Sequence, residues 1–240
     1  MGVLDNLVKR FSRKAVLIDK QQLTEHTFHL KIQGDDLKNL PYTPGEHLRV
    51  LVGLDKGTSM QDKVRTYSVW QYDPANASMD LAVCTYSTGI GARWVREIAL
   101  GDMLYFSGPK GKFTVDQSGD YYVFVGDPSA LAHLYEINRH LEPSKPVISF
   151  IYGDTMSDLF PDLTGEKPFT FYQLSQNPAS AVIEKLDAQL NNKSGKGILY
   201  VGGDGRLCVA LNKHFRNELH WESRQIKTKP FWLPNKTGLE

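Results

Sequence analysis

Arg65-Thr66-Tyr67-Ser68-Val69-Trp70 concentrates side chains that could do chemistry. Read as a strand, it places Arg65, Tyr67 and Val69 on one side and Thr66, Ser68 and Trp70 on the other. One side then offers a fixed cation beside a phenol ring, and the other two hydroxyls and an indole. A flat, phosphorylated cofactor such as a flavin needs such a set. An aromatic packs on its rings, a guanidinium pairs with its pyrophosphate, and a hydroxyl such as that of Ser68 reaches a ring heteroatom. Taken alone, the six residues also fit an ordinary barrel strand with a surface arginine.

A second candidate is Ser87-Thr88-Gly89-Ile90-Gly91-Ala92, leading into a helix over 93–99 that carries Arg93 and Trp94. Thr88 is placed to cap, the glycines admit close approach of backbone to ligand, and a helix start carries amides with no intrahelical acceptor. That is a phosphate seat, although a plain loop before a barrel-plugging helix shares the spacing. The histidines form no metal-ligand pattern. His26 and His29 point to opposite faces of a strand, and both are expected at the surface. His214 and His220 flank the last helix and are expected to be solvated.

These residues need a scaffold. Up to residue 116 the chain reads as closely spaced strands broken by Gly and Pro turns. Leu48, Val50 and Val52 point inward, as do Phe28, Leu30 and Ile32. That pattern predicts a small antiparallel barrel over 1–116. After the polar stretch 116–120 the period changes to strand–helix–strand. Strands are expected over 121–125, 147–152, 169–174, 198–202 and 225–231, with helices between them. Asp127 caps the first helix with Pro128 in its opening turn. Such alternation predicts a parallel sheet covered on both faces over 121–240. Ligands of such sheets bind beyond the carboxyl ends of the strands, where 126–129, 153–156, 175–177 and 202–205 fall. No Gly-x-Gly-x-x-Gly is present.

Composition narrows the field further. The chain has 240 residues, 41% hydrophobic and 23% charged, with formal net charge +1. No basic stripe suggests nucleic acid. The start, 1–11, is too short and interrupted for a membrane span or signal peptide, and reads as a frayed helix or tail. Cys84 and Cys208 are too few for an iron–sulfur cluster of four thiolates. They are expected as two buried free thiols, in a cytoplasmic setting.

Together, Arg65-x-Tyr67-Ser68, Gly101-Asp102 and Gly108-Pro109-x-Gly111 resemble the flavin domain of the ferredoxin–NADP reductase superfamily. More closely, the chain resembles the siderophore-interacting branch, the flavin-dependent ferric-siderophore reductases. Gly89 to Trp94 is similar to that branch's Gly-Pro-Ala-Ser-Arg-Trp, and Gly126 to Leu131 to its Gly-Asp-Glu-Thr-Ala-Leu. Gly202-Gly203-Asp204 resembles its Ala-Gly-Glu, and Phe231-Trp232 its Gly-Tyr-Trp. Ala92 stands where the branch has serine, Pro128 where it has glutamate, and Lys229-Pro230 where a glycine precedes the aromatics. The resemblance implies an FAD-dependent oxidoreductase passing electrons from NAD(P)H or reduced ferredoxin to a ferric siderophore or other ferric chelate, releasing iron(II). It assigns Arg65, Thr66, Tyr67, Ser68, Gly89, Gly91, Ala92, Arg93 and Trp94 to the flavin. Asp127, Lys110, Lys112, Asp204, Arg206, Lys229, Phe231 and Trp232 become candidates for substrate or donor. The cations, with Arg93, would line an entrance that concentrates an anionic chelate, although surface lysines are ordinarily just solvated. Two other readings stay open: a general NAD(P)H–ferredoxin or flavodoxin reductase, and a non-catalytic carrier of flavin or siderophore.

Overall fold

The computed structural model describes residues 10–53, 63–175 and 177–236. Most of the expected tail over 1–11 lies outside them, as does most of the polar stretch 54–63. The chain divides into two compact units, with the division between Lys112 and Phe113.

The first unit is a closed antiparallel barrel. Its strands are β1 (Arg13–Thr24), β2 (Thr27–Gln33), β3 (His47–Leu51), β4 (Val64–Asp73), β5 (Ser78–Cys84) and β6 (Met103–Lys110), in the order β1-β2-β5-β4-β3-β6. Period-two alternation builds its core: Leu30, Ile32, Leu48, Val50, Met79, Leu81 and Val83 are buried together. One helix, α1 (Ile90–Glu97), adds Ile90 and Val95 to that core. Its first turn therefore includes Gly91 and Ala92, two residues that sequence spacing assigns to the preceding loop.

The outer face of the barrel departs from the expectation of a solvated surface. A bulge between Val69 and Gln71 interrupts the pairing of β4 with β5. Val69 and Tyr67 pack on the core, while Trp70 lies outside that cluster yet is only 1% exposed. The edge of its ring meets His29 at a centroid distance of 5.3 Å. His29 is buried, not at the surface, because its Nε2 lies 2.7 Å from Asp80 Oδ1. Such a pair satisfies polar atoms that would otherwise be costly to bury. Cys84 is half-buried, so of the two free thiols only Cys208 is fully buried.

The second unit is a five-stranded parallel sheet. In chain order it contains β7 (Tyr121–Gly126), α2 (Pro128–Arg139), β8 (Val147–Gly153), β9 (Phe171–Gln173), α3 (Ala179–Leu190), β10 (Gly197–Asp204), α4 (Gly205–Asn217) and β11 (Ile226–Trp232). The strand order is β11-β10-β7-β8-β9. Central β7 is buried at all six positions, the continuous apolar run that a doubly covered parallel strand requires. Leu207, Leu211 and Phe215 of α4 and Val182 and Leu186 of α3 pack on one face with Val123, Val125, Leu199 and Val201. On α2, Ala130, Leu131, Leu134 and Ile137 are all 0% exposed.

Residues 113–116 belong to this unit. Tyr200 Oη donates to the Thr114 carbonyl at 3.1 Å and Tyr122 Oη to that of Asp116 at 2.8 Å, while Lys227 pairs with the Asp116 carboxylate at 3.0 Å. His214, expected to be solvated, instead joins α4 to α3 through Asp187 Oδ1 at 2.8 Å.

Candidate functional site

Strand β4 and helix α1 bring the two sequence-predicted cofactor segments together. A Cβ added at Gly91 would lie 2.6 Å from the Tyr67 hydroxyl and 3.2 Å from Arg65 Cγ. In this chain glycine leaves room for the backbone of the first helical turn to lie against the side of β4 that carries Arg65 and Tyr67. Trp94, one turn along α1, stacks on Tyr67 with centroids 5.6 Å apart and planes 16° apart. Arg93 is exposed and donates from its guanidinium to the Thr88 carbonyl at 2.9 Å.

The start of α1 suits an anion. Its N-cap is Gly89, and no side chain of the described residues caps it; Thr88 does not do so. The first backbone bond of the helix runs from Arg93 N to the Gly89 carbonyl, which leaves the amides of Ile90, Gly91 and Ala92 without an intrahelical acceptor. Those amides, with the Arg65 guanidinium, whose Nη1 also donates to the Val64 carbonyl at 2.6 Å, are of the donor type that a pyrophosphate takes. Thr66 and Ser68 occupy the other side of β4, with Ser68 5% exposed. Directly across from Ser68 in the strand register is His47, and across from His47 is Lys110. His47 belongs to none of the sequence motifs. Its place beside Ser68 depends on the β3–β4 register, which no local pattern reveals. The residues present fit FAD: an uncapped helix start, a fixed cation and aromatic rings, with glycine where the backbone must come close.

The second unit gathers Asp127, Asp204, Arg206 and Trp232 at the carboxyl ends of β7, β10 and β11. Asp127 is 5% exposed. Its Oδ1 accepts from Ser129 N at 2.9 Å and Ser129 Oγ at 2.5 Å. Its Oδ2 accepts from Asp204 N at 2.7 Å and from the Trp232 indole at 2.8 Å. Burial pushes this carboxyl up, and the four donors oppose that shift. Asp204, 1% exposed, caps α4 by accepting from Arg206 N at 2.9 Å. The Arg206 guanidinium folds back on the same carboxylate, NH2 to Oδ2 at 2.6 Å, and lies 5.7 Å over the Trp232 ring.

Lys229 and Phe231 do not join this cluster. The ammonium of Lys229 lies 5.3 Å over the Phe231 ring, and Phe231 meets His133 of α2 edge-on at 5.8 Å. Burial pushes Lys229 down to about 8. Lys110 and Lys112 are exposed and belong to the first unit. An open concavity of about 820 Å³ lies at the ends of β8 and β9, lined by Asp154, Gln173, Leu174 and Ser175. Among the described residues no group of three or more His, Cys, Asp or Glu could hold a metal ion, and no helix is long and apolar enough to cross a membrane.

Comparison with known proteins agrees with this architecture. Residues 14–115 match the oxidoreductase FAD-binding domain, and residues 119–235 match the siderophore-interacting protein family. The ferric vibriobactin reductase ViuB of Vibrio cholerae is 23% identical over 255 residues, covering 97% of this chain and 94% of that protein. The NADPH-dependent ferric-chelate reductase of Escherichia coli is 22% identical over 169 residues, covering 67% of this chain and 63% of that protein. A solved structure of a siderophore utilization protein from T. fusca has the same fold, with a TM-score of 0.78 at 17% identity over 95% of each chain. With the barrel matched by one model and the parallel-sheet unit by the next, the chain joins an oxidoreductase FAD-binding domain over residues 14–115 to a domain of the siderophore-interacting protein family over residues 119–235.

Proposed function

We propose that this protein is an FAD-dependent reductase that passes electrons from NAD(P)H to a ferric siderophore and so releases iron(II). The observation that carries the reading is the contact between Gly91 and the Arg65–Tyr67 side of β4, which assembles one cofactor site from two separate segments. FAD, when bound, accepts a hydride and returns electrons singly. The chain's own residues hold and orient it: Arg65 with the amides of Ile90, Gly91 and Ala92 at the pyrophosphate, Tyr67 and Trp94 as aromatic surface, and Ser68 at the ring edge. Iron(III) is a hard ion held by oxygen ligands, and the reduced ion binds them more weakly, so a protein metal site is not required for release.

The names of the relatives from Vibrio cholerae and Escherichia coli support a ferric chelate as substrate. Reduced ferredoxin is the alternative donor. A cytoplasmic setting suits two cysteines that are both free. The test is anaerobic. Purified protein should be yellow, NAD(P)H should bleach it, and a ferric siderophore should restore the colour while a ferrous chelator traps iron(II). A colourless protein with no affinity for FAD would exclude the reading, and a yellow protein inert to ferric chelates would favour the carrier.

A further inference from the structure

The two units treat their helix starts in opposite ways. In a parallel sheet a dinucleotide's pyrophosphate sits where the strand order reverses, on the helix amides at the carboxyl ends of the flanking strands. Here that point lies between β7 and β10, the neighbouring strands that lead into α2 and α4. We infer that Asp127 and Asp204 close this phosphate seat from within and thereby set the pyridine nucleotide preference of the reductase: weak binding, with little choice between NADH and NADPH. The inference rests on the reductase reading and deepens its donor side.

Most of the features that would welcome a phosphate are already engaged, the first-turn amides of Gly205 and Leu207 in α4 being the exceptions. At the start of α2, Pro128 has no amide hydrogen. Ser129 N donates to the Asp127 side chain and Ala130 N to the Asp127 carbonyl. At the start of α4, Asp204 N donates to Asp127 and Arg206 N to Asp204. The Arg206 guanidinium, the cation best placed to meet a phosphate, is held by Asp204.

The glycines are engaged as well. A Cβ on Gly126 would lie 2.8 Å from Leu134 Cδ1, one on Gly202 2.8 Å from Ala130 Cβ, and one on Gly203 would overlap the Asp127 carboxylate. They let α2 and a side chain pack closely, where a nucleotide-binding turn would leave room for ligand. Trp232, bonded to Asp127 across the end of β10, ties β11 to β7 over the same point. A pyrophosphate arriving here would meet two buried carboxyl groups, with Ser129 N, Asp204 N, Arg206 N and the Arg206 guanidinium already bonded to them.

The experiment uses FAD-loaded protein, with stopped-flow bleaching by NADH and NADPH. In the native protein both nucleotides should show KM values of about 1 mM or more, at the upper edge of the usual range, and differ by less than about threefold. D127S keeps a capping hydroxyl but frees Asp204 N and the indole. It should lower both KM values by about tenfold, the worth of one or two charge-assisted hydrogen bonds. An unchanged or raised KM in a folded, FAD-replete D127S protein would overturn the inference. So would a native KM in the micromolar range with strong preference for one nucleotide.

Should D127S fail to fold, calorimetric titration of the native FAD-loaded protein with ADP decides alone. Binding weaker than about 1 mM is expected, and binding a hundredfold tighter would contradict closure. Reduction by dithionite followed by a ferric chelate bypasses the nucleotide, so the reductase reading stands or falls separately.

Discussion

Arg65 and Gly91 bear the clearest residue-level predictions. On the proposed site, Arg65→Ala removes one partner of the pyrophosphate and leaves the barrel core untouched. FAD affinity should fall by about ten- to a hundredfold, the range for a charge-assisted contact, with the thermal transition of the apoprotein unchanged. Equal FAD content in mutant and native protein after gel filtration would remove Arg65 from the site. Gly91→Val would place a branched side chain on the Tyr67 hydroxyl and Arg65 Cγ. One segment must then move, and flavin should be lost without any change in charge. Retention of full FAD occupancy by that variant would show that the close approach of α1 to β4 is incidental. Sequence alone could nominate these residues because their chemistry is local: a guanidinium, a ring and a hydroxyl at strand spacing, and glycines before a helix. His47 was not, since it gains its place beside Ser68 only through pairing between β3 and β4.

At the scale of elements, periodicity revealed barrel and sheet, and polar burial was what it concealed. His29 and His214 read as surface residues because histidine on the polar side of a strand or helix usually is. Each is instead fixed by an aspartate distant in sequence, Asp80 and Asp187. Neither partner can be paired with its histidine before the fold is known. Replacing Asp80 by alanine strands His29 beside Trp70 and should cost about 3 kcal/mol, the usual loss when one member of a buried pair is removed. Chemical denaturation would register this as a lower midpoint with FAD content retained at low denaturant. A midpoint equal to that of the native protein would show that the pair contributes nothing.

Residues 113–116 supply a pH-dependent anchor of the same kind. Burial alone would raise the Asp116 carboxyl, but Ser118 and Lys227 outweigh it and hold it at about 2. A carboxyl depressed in the folded state stabilises fully above its ordinary value of 3.8 and loses that contribution as pH falls through about 2. Asp116→Asn should therefore be less stable than the native protein at pH 6, and the gap should narrow between pH 4 and pH 2. A gap independent of pH would show that the ionised carboxylate contributes nothing to this anchor.

For the whole molecule, charge and donor chemistry decide what the reductase serves. The expectation of an anionic chelate drawn in by cations counted Arg93, Lys110, Lys112, Arg206 and Lys229. The structure leaves Arg206 compensated by Asp204 and Lys229 pushed down to about 8. Arg93, Lys110 and Lys112 remain as exposed cations of that set. Lys229 is still mostly protonated at neutral pH but is partly buried, so steering falls mainly to the three exposed cations and keeps its sign: reduction of an anionic ferric chelate should slow as ionic strength rises, while that of a neutral one holds steady. An equal response of both would remove electrostatic capture from the account.

The central claim is electron transfer from a flavin seated between β4 and α1 to chelated iron(III). Its most direct test is a single anaerobic mixing experiment. FAD-loaded protein, reduced by dithionite with the excess removed, meets a ferric siderophore in the presence of a ferrous trap. The account predicts return of the oxidised flavin absorbance in step with the trapped iron(II), two irons per flavin, and loss of both signals in Arg65→Ala. A reduced flavin that persists unchanged beside the ferric siderophore would contradict it.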